Sequence, residues 1–137
     1  VIAVEARYHA LVSVALASLF LLLRQYVAAV SVLVTGILID VDHEVDYYVV
    51  NGKLTLSAYD LSEGLMNHNT YICPLHGWEY PLLLTLMAVS RPVLLGASLG
   101  WWVHLLLDMV TNSIHPLNLF VTYRILNDFR RKGMKWT

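Results

Sequence analysis

Residues 25–39, QYVAAVSVLVTGILI, carry no charge and stop abruptly on Asp40-Val41-Asp42-His43. The run reads as an apolar helix, and at its end three side chains of metal-ligating type project together. Carboxylates and an imidazole held this close repel or desolvate one another unless a cation or a proton sits among them, so the cluster is a candidate metal site. The question for the rest of the chain is which other segments bring ligands to the same end.

Three further apolar runs flank it. Residues 8–23 lie between Arg7 and Arg24 and connect to the second run through the short Arg24-Gln25 step. Each of these two runs is about 16 residues, roughly 24 Å of helix, which is short for a hydrocarbon core of about 30 Å unless the polar ends are counted or the bilayer thins. Residues 80–90 are bounded by Glu79 and Arg91 and are expected to begin earlier, near Pro74, placing His76 and Glu79 in the first turns of a third helix. The fourth run, 92–107, starts on Pro92, a good first-turn residue, and continues past Asp108 to about Val110. Ser31, Thr35 and Gly36 in the second run are small residues of the kind that let membrane helices approach closely.

Hydrophobic residues make up 58% of the chain, charged residues only 14%, and the mean hydropathy is +0.60, which points to a polytopic membrane protein. The net charge of -1 says nothing about nucleic acid, and no basic stripe with interleaved aromatics suggests it as a partner. The lone Cys73 excludes an internal disulfide and reads as a small buried side chain. The chain opens at Val1, so a leader is expected to be missing, and the second run following at once favours a retained hairpin over a cleaved signal. Residues 1–137 read as a single membrane-embedded all-α domain: a four-helix membrane bundle of two helical hairpins, a polar loop between them, and a C-terminal amphipathic helix. In the polar stretch 44–71, Asn51-Gly52 marks either a small hairpin or a loop followed by a short helix near 57–66. Leu117–Arg131 reads as an amphipathic helix, lying on a membrane surface or across the end of the bundle.

In an up-down-up-down bundle, His9 starts helix one, Asp40, Asp42 and His43 end helix two, His76 and Glu79 start helix three, and His104 and Asp108 fall toward the end of helix four. All lie on one side, and the other side holds only the turns at Arg24 and Arg91. His104 and Asp108 are spaced i, i+4, and both His76–Glu79 and Asp40–His43 are spaced i, i+3, so each pair can share a cation or act as ligand and orienting partner. The plainer reading of His104 is a buried histidine satisfied by Asp108. Asp40 and Asp42 read alternatively as solvated helix-end acids, although acids are disfavoured at a helix C-terminus. His68 and His115 read as loop residues, and Asp46, Asp60 and Glu63 as solvated charges.

GILIDVDHEVD resembles the G-x-x-x-D-x-D-H segment of the membrane-bound metal-dependent hydrolases, inner-membrane hydrolases of the SOS regulon type. LHGWEYPLLL is similar to their second His-containing stretch, GWWVHLLLDMVTN to their H-x-x-x-D helix, and RYHALVS to their early His-bearing helix. The resemblance covers about residues 7–124 and implies a distant relation to zinc-dependent phospholipase C, an all-helical fold whose metals are held by His, Asp and Glu. It carries over to Asp40, Asp42, His43, His76, Glu79, His104 and Asp108, with His9 beside them. Where some members have an Arg or a second His in the second stretch, this chain has Gly77 and Glu79.

A divalent metal in such a site generates a nucleophilic water at neutral pH. A mixed His and carboxylate shell suits zinc first, and manganese or iron(II) as well. The expected roles are ligands for Asp42, His43, His76, His104 and Asp108, a bridging or second ligand for Asp40, and a ligand or general base for Glu79. A site at the membrane boundary beside Trp78, Trp101 and Trp102 suits an ester or phosphoester of a membrane lipid. No Gly-x-Ser-x-Gly elbow offers a competing nucleophile. The excess of basic residues on the site side, Arg7, Lys53, Arg124, Arg130, Arg131, Lys132 and Lys135 against Arg24 and Arg91, places that side in the cytoplasm. The alternative is a non-catalytic accessory or scaffold subunit with a structural metal or polar cluster, docked on a membrane-protein partner or a second copy. A metal or proton conduit is disfavoured, because the ionisable residues gather at one end.

Overall fold

The structure is a computed structural model; it describes residues 6–55, 71–111 and 114–130, and these are all helical in architecture, without sheet. The first apolar run forms α1 (Ala6–Leu22). Arg24, with φ 58°, turns the chain within a few residues into α2 (Tyr26–Leu38). Helix α2 does not stop at the acidic cluster. It passes through a 3-10 turn (Ile39–Val41) into α3 (Asp42–Asn51), so the expected end of a helix is a tightening in the middle of a rod.

The hairpin considered at Asn51-Gly52 is not formed. Gly52 adopts φ 70° and its N–H donates to the Tyr48 carbonyl at 2.8 Å, so the same two residues close a helix. Tyr47, Tyr48, Val49 and Val50 favour strands, but Asp42 and Glu44 in the first turn favour a helix start there through the macrodipole. The short helix expected near 57–66 lies outside the described residues.

The third apolar run gives α4 (Glu79–Ser90), which begins at Glu79 and not near Pro74. Pro81 is thereby in the first turn, where its missing N–H leaves no helical bond unmade. His76 consequently belongs to an irregular segment, 71–78, that precedes the helix. After a 3-10 turn at Pro92–Leu94 comes α5 (Leu95–Thr111). The long amphipathic helix expected over 117–131 is broken: a 3-10 turn (Pro116–Leu119) and an extended Phe120 lead into the six-residue α6 (Val121–Leu126), and Asp128 and Phe129 then turn with positive φ. Backbone pairing explains the interruption, since Trp78 N–H donates to Leu119 at 2.7 Å and Tyr71 N–H to Phe129 at 2.9 Å. This segment packs against 71–78 instead of lying on a surface of its own.

Helix α2 packs between α1 and α5, and α4 packs on α5. Contact between α2 and α5 runs backbone to backbone. A methyl group on Gly96 would meet Ala28 Cα at 2.6 Å, and one on Gly100 would meet the Val32 carbonyl oxygen at 2.8 Å. Thr35 Oγ1 donates across the same seam to the Ala97 carbonyl at 3.0 Å. Gly36 faces α1, where Ser13 occupies the space a side chain would need. Small clusters fill the interior: Ala17, Ala29 and Val32 at one level, and Trp78, Leu105, Ile114 and Leu119 nearer the ligand-bearing end. The outer faces are apolar and exposed, including Leu22, Leu83, Leu86, Val89 and Val110. Two helical stretches, Tyr26–Asn51 and Pro92–Thr111, are long and apolar enough by length and composition to cross a membrane, and α1 and α4 supply shorter apolar helices.

Candidate metal centre

Close packing of α1, α2 and α5 delivers side chains to one end of the molecule. His9 comes from α1, Asp40 from the 3-10 turn, Asp42 and His43 from the first turn of α3, His76 from segment 71–78, and His104 and Asp108 from successive turns of α5. Asp40 Oδ1 lies 3.2 Å from His104 Nε2, 3.4 Å from His43 Nε2 and 3.6 Å from His76 Nε2. Asp108 Oδ2 lies 3.1 Å from His76 Nε2 and 3.4 Å from His104 Nε2, and its Oδ1 lies 3.3 Å from His9 Nε2. The rings of His9 and His104 are 4.2 Å apart between centroids. Four imidazoles thus present the same nitrogen, Nε2, to two carboxylates.

The opposite ring nitrogens are held from behind. His104 Nδ1 is 3.0 Å from the Gly36 carbonyl, which can only accept, so Nδ1 carries the proton. His43 Nδ1 sits 3.1 Å from Cys73 Sγ, and His76 Nδ1 2.9 Å from Asp42 Oδ1. The bonds to Gly36 and Cys73 fix the rings of His104 and His43 and leave Nε2 as the ligand atom, and the His76 ring, beside Asp42, turns its Nε2 the same way. His76 Nε2 and His104 Nε2 are 3.1 Å apart, so two lone pairs face each other unless a proton or cation lies between them. Burial opposes protonation of His76, but Asp42, Asp108 and Asp40 around it hold its pKa well above the ordinary imidazole range. The same anionic surroundings attract a cation.

The donor set fits a divalent ion. Nitrogen and oxygen ligands about 2.0–2.2 Å from a shared ion stand roughly 3.0–3.5 Å from one another, close to the 3.1–3.6 Å seen here between Asp40, Asp108 and the Nε2 atoms of His43, His76 and His104. Buried His and Asp groups at this end can therefore hold a metal: His9, His104 and Asp108 form one compact set, and Asp40, His43 and His76 another. Burial is uneven. The side chains of His9, His76, His104 and Asp108 are 0–3% exposed, whereas Asp40 is 25% and His43 18% exposed, so the centre opens to its surroundings along the Asp40–His43 edge.

Of the residues expected from the sequence, the structure brings together His9, Asp40, Asp42, His43, His76, His104 and Asp108. It does not bring Glu79. That carboxylate accepts the N–H of Val121 at 3.1 Å and both the N–H and hydroxyl of Thr122 at 2.9 and 2.8 Å, so it caps α6. The pairing of His76 with Glu79 on one helix face fails for the same reason, since the helix starts only at Glu79. His115 stands in the loop as expected, its Nδ1 accepting from the Leu117 N–H at 3.3 Å. Asp60, Glu63 and His68 lie outside the described residues.

Asp46, Arg124 and Trp101 position the centre in ways the sequence pattern does not show. Asp46, taken for a solvated charge, is buried and accepts the Ile72 N–H at 2.8 Å. Arg124, counted among the surface cations, is buried. Its guanidinium donates to the carbonyls of Ile72, Cys73 and His76 at 2.7–2.8 Å and lies 4.8 Å from the centre of the Tyr71 ring. Trp101 Nε1 donates to the Leu75 carbonyl at 3.0 Å, and Asp42 Oδ2 accepts the Leu75 N–H at 2.6 Å. Segment 71–78 is irregular, yet its backbone is held along most of its length. The sequence signal for Arg124 was its place four residues after Phe120, at the edge of an apolar stripe. No protein-family model, curated protein or solved structure matches this chain, so the centre stands on its own geometry.

Proposed function

We propose that the chain is a membrane-embedded, metal-dependent hydrolase that cleaves an ester or phosphoester, of a lipid in the surrounding bilayer, at the ligand-bearing end of a four-helix bundle made by α1, α2, α4 and α5. The observation that carries this reading is the convergence of His43, His76 and His104 Nε2 on Asp40 Oδ1 with one edge left open. A wholly structural site has no need of an open edge, whereas a catalytic one keeps a position for water or substrate.

A divalent ion held there, zinc first by ligand type, lowers the pKa of a water and polarises an ester oxygen. The chain's own residues do the rest. His104 is fixed by the Gly36 carbonyl, so it contributes a neutral ligand without reorganising. Asp40, at the open edge, both completes the ligand set and offers a carboxylate to hydrogen-bond and orient the attacking water. Glu79, occupied by Val121 and Thr122, takes no part. Trp78, Trp101 and Trp102 around this end suit the boundary between lipid and water, where indoles with a satisfied N–H accumulate. A cytoplasmic location for this end rests on the positive-inside count of the sequence, from which Arg124, being buried, drops out.

Purified protein assayed for bound metal and for turnover of a phospholipid and simple ester panel tests the reading, with Asp40→Asn as the comparison. Hydrolysis that disappears in Asp40→Asn and on chelation supports it. Stoichiometric metal with no turnover of any ester would favour a scaffold with a structural ion.

A further inference from the structure

Behind the centre, on the far side of the His76 ring, lies a second group of donors. Asp42, Cys73 and His76 are each at least 98% buried, and one donor atom from each falls within 4.8 Å of the others. Asp42 Oδ2 is engaged by the Leu75 N–H, which leaves Oδ1 facing His76. Asp42 Oδ1 and His76 Nδ1 are 2.9 Å apart but out of line for an N–H···O bond, and neither atom has a hydrogen-bond partner. Two buried polar atoms at ligand spacing, in contact yet without a hydrogen bond and beside a thiol, are costly as they stand. An ion between them removes that cost.

We propose that Asp42 Oδ1, Cys73 Sγ and His76 Nδ1 form a second metal site, selective for a thiophilic divalent cation such as zinc, and that His76 bridges it to the first centre through its two ring nitrogens. Nε2 of the ring looks toward Asp40, His104 and Asp108, and Nδ1 toward Asp42 and Cys73. Loading the second site replaces two protons, the one on the Cys73 thiol and the one left on the neutral His76 ring, which becomes an imidazolate. Carboxylate, thiolate and imidazolate together carry three negative charges against the ion's two positive ones. Arg124, bonded to the carbonyls of Cys73 and His76, supplies the balancing charge without competing for the ligand atoms. His43 Nδ1, 3.1 Å from Sγ, donates to the thiolate and so ties the two sites together by a second route. A sulfur ligand separates this site from the first in the ions it prefers, since thiolate selects zinc over magnesium, calcium or manganese.

Cobalt(II) titration of the intact chain in detergent tests the site, because only a thiolate ligand gives a sulfur-to-cobalt charge-transfer band in the near ultraviolet. Wild type should show the band, and zinc-loaded wild type should show a sulfur neighbour at about 2.3 Å by X-ray absorption. Cys73→Ala and Cys73→Ser should lose the band and one equivalent of metal while keeping helical circular dichroism. His104→Ala, which breaks only the first centre, should retain the band. Wild-type protein that binds metal without any sulfur signature overturns the proposal, as does loss of the band in His104→Ala. The hydrolase reading fails separately: a full sulfur signature with no ester turnover leaves this site standing, and turnover without that signature removes only this site.

Discussion

His76 and His104 face each other through Nε2 at 3.1 Å, although they come from an irregular segment and from the middle of a helix. His104 has its proton on Nδ1, committed to Gly36. Its Nε2 is therefore a lone pair aimed at another imidazole and at two carboxylates, an arrangement that only a shared proton or a cation stabilises.

The first prediction follows from that pair. His104→Ala removes a ligand from both the Asp40 and the Asp108 contacts, so its loss of affinity should exceed the roughly 10–100-fold that a supporting contact is worth. Isothermal titration or competition with a metal-sensitive dye reads this directly. In wild type, metal at about 100 times its Kd should raise the unfolding free energy by about 2.7 kcal/mol, and His104→Ala should lose most of that gain at the same concentration. Equal metal-dependent stabilisation of both proteins would sink the assignment.

Arg124 gives a prediction about positioning. Its guanidinium serves three carbonyls of the segment that carries Cys73 and His76. A lysine has one ammonium and no planar fork, so Arg124→Lys leaves at least one buried carbonyl unmet and costs about 1–3 kcal/mol for each group orphaned. Metal affinity should fall with it, because His76 loses its anchor. Charge alone would be rescued by lysine; the expected result is that it is not, measured by denaturant unfolding in detergent alongside metal binding.

The clustering of His and Asp residues was legible in the sequence because their chemistry is scarce: acids and histidines in so apolar a chain stand out wherever they fall. Asp40, His43, His104 and Asp108 could be placed by helical spacing alone, since α2 runs on through the 3-10 turn and α5 is regular throughout. His76 was placed correctly at this end but for a mistaken reason, as a first-turn residue of a helix that begins three residues later. Segment 71–78 has no periodicity to read; its shape comes from Asp42, Asp46, Trp101 and Arg124, contacts between residues far apart in the chain. Glu79 looked like a ligand because it sits among the candidate ligands in sequence. Only the fold reveals that Val121 and Thr122 take both of its oxygens.

Gly96 and Gly100 form a Gly-x-x-x-Gly pair, a signal present in the sequence beside the small residues Ser31, Thr35 and Gly36. Adding a side chain at Gly96 drives it into the Ala28 backbone, which cannot move aside. Gly96→Leu should therefore push α5 off α2, destabilise by at least the 1–3 kcal/mol typical of overpacking, and abolish metal binding by separating His104 from Asp40. Gly36→Ala meets only the Ser13 side chain. Its defect should be relieved by adding Ser13→Gly, whereas no substitution at Ala28 should rescue Gly96→Leu. Thermal unfolding of the single and double variants distinguishes backbone from side-chain contact.

Glu79 offers the sharpest separation between what residue type implies and what the fold does. Were it a ligand or general base, Glu79→Ala would lower metal content or turnover at unchanged stability. In the structure it caps α6, so the same change orphans the N–H groups of Val121 and Thr122 and should cost about 1–2 kcal/mol, the usual worth of a lost cap. Metal stoichiometry should remain that of wild type. Glu79→Gln retains one acceptor oxygen and should lie between wild type and alanine in stability. Asp40→Asn should give the reverse pattern, a folded protein with impaired metal binding, because its carboxylate is spent on His43, His76 and His104. Denaturation curves and metal analysis on the same preparations read both axes at once. A Glu79→Ala protein of wild-type stability that has lost its metal would return Glu79 to the centre and move α6 away from it.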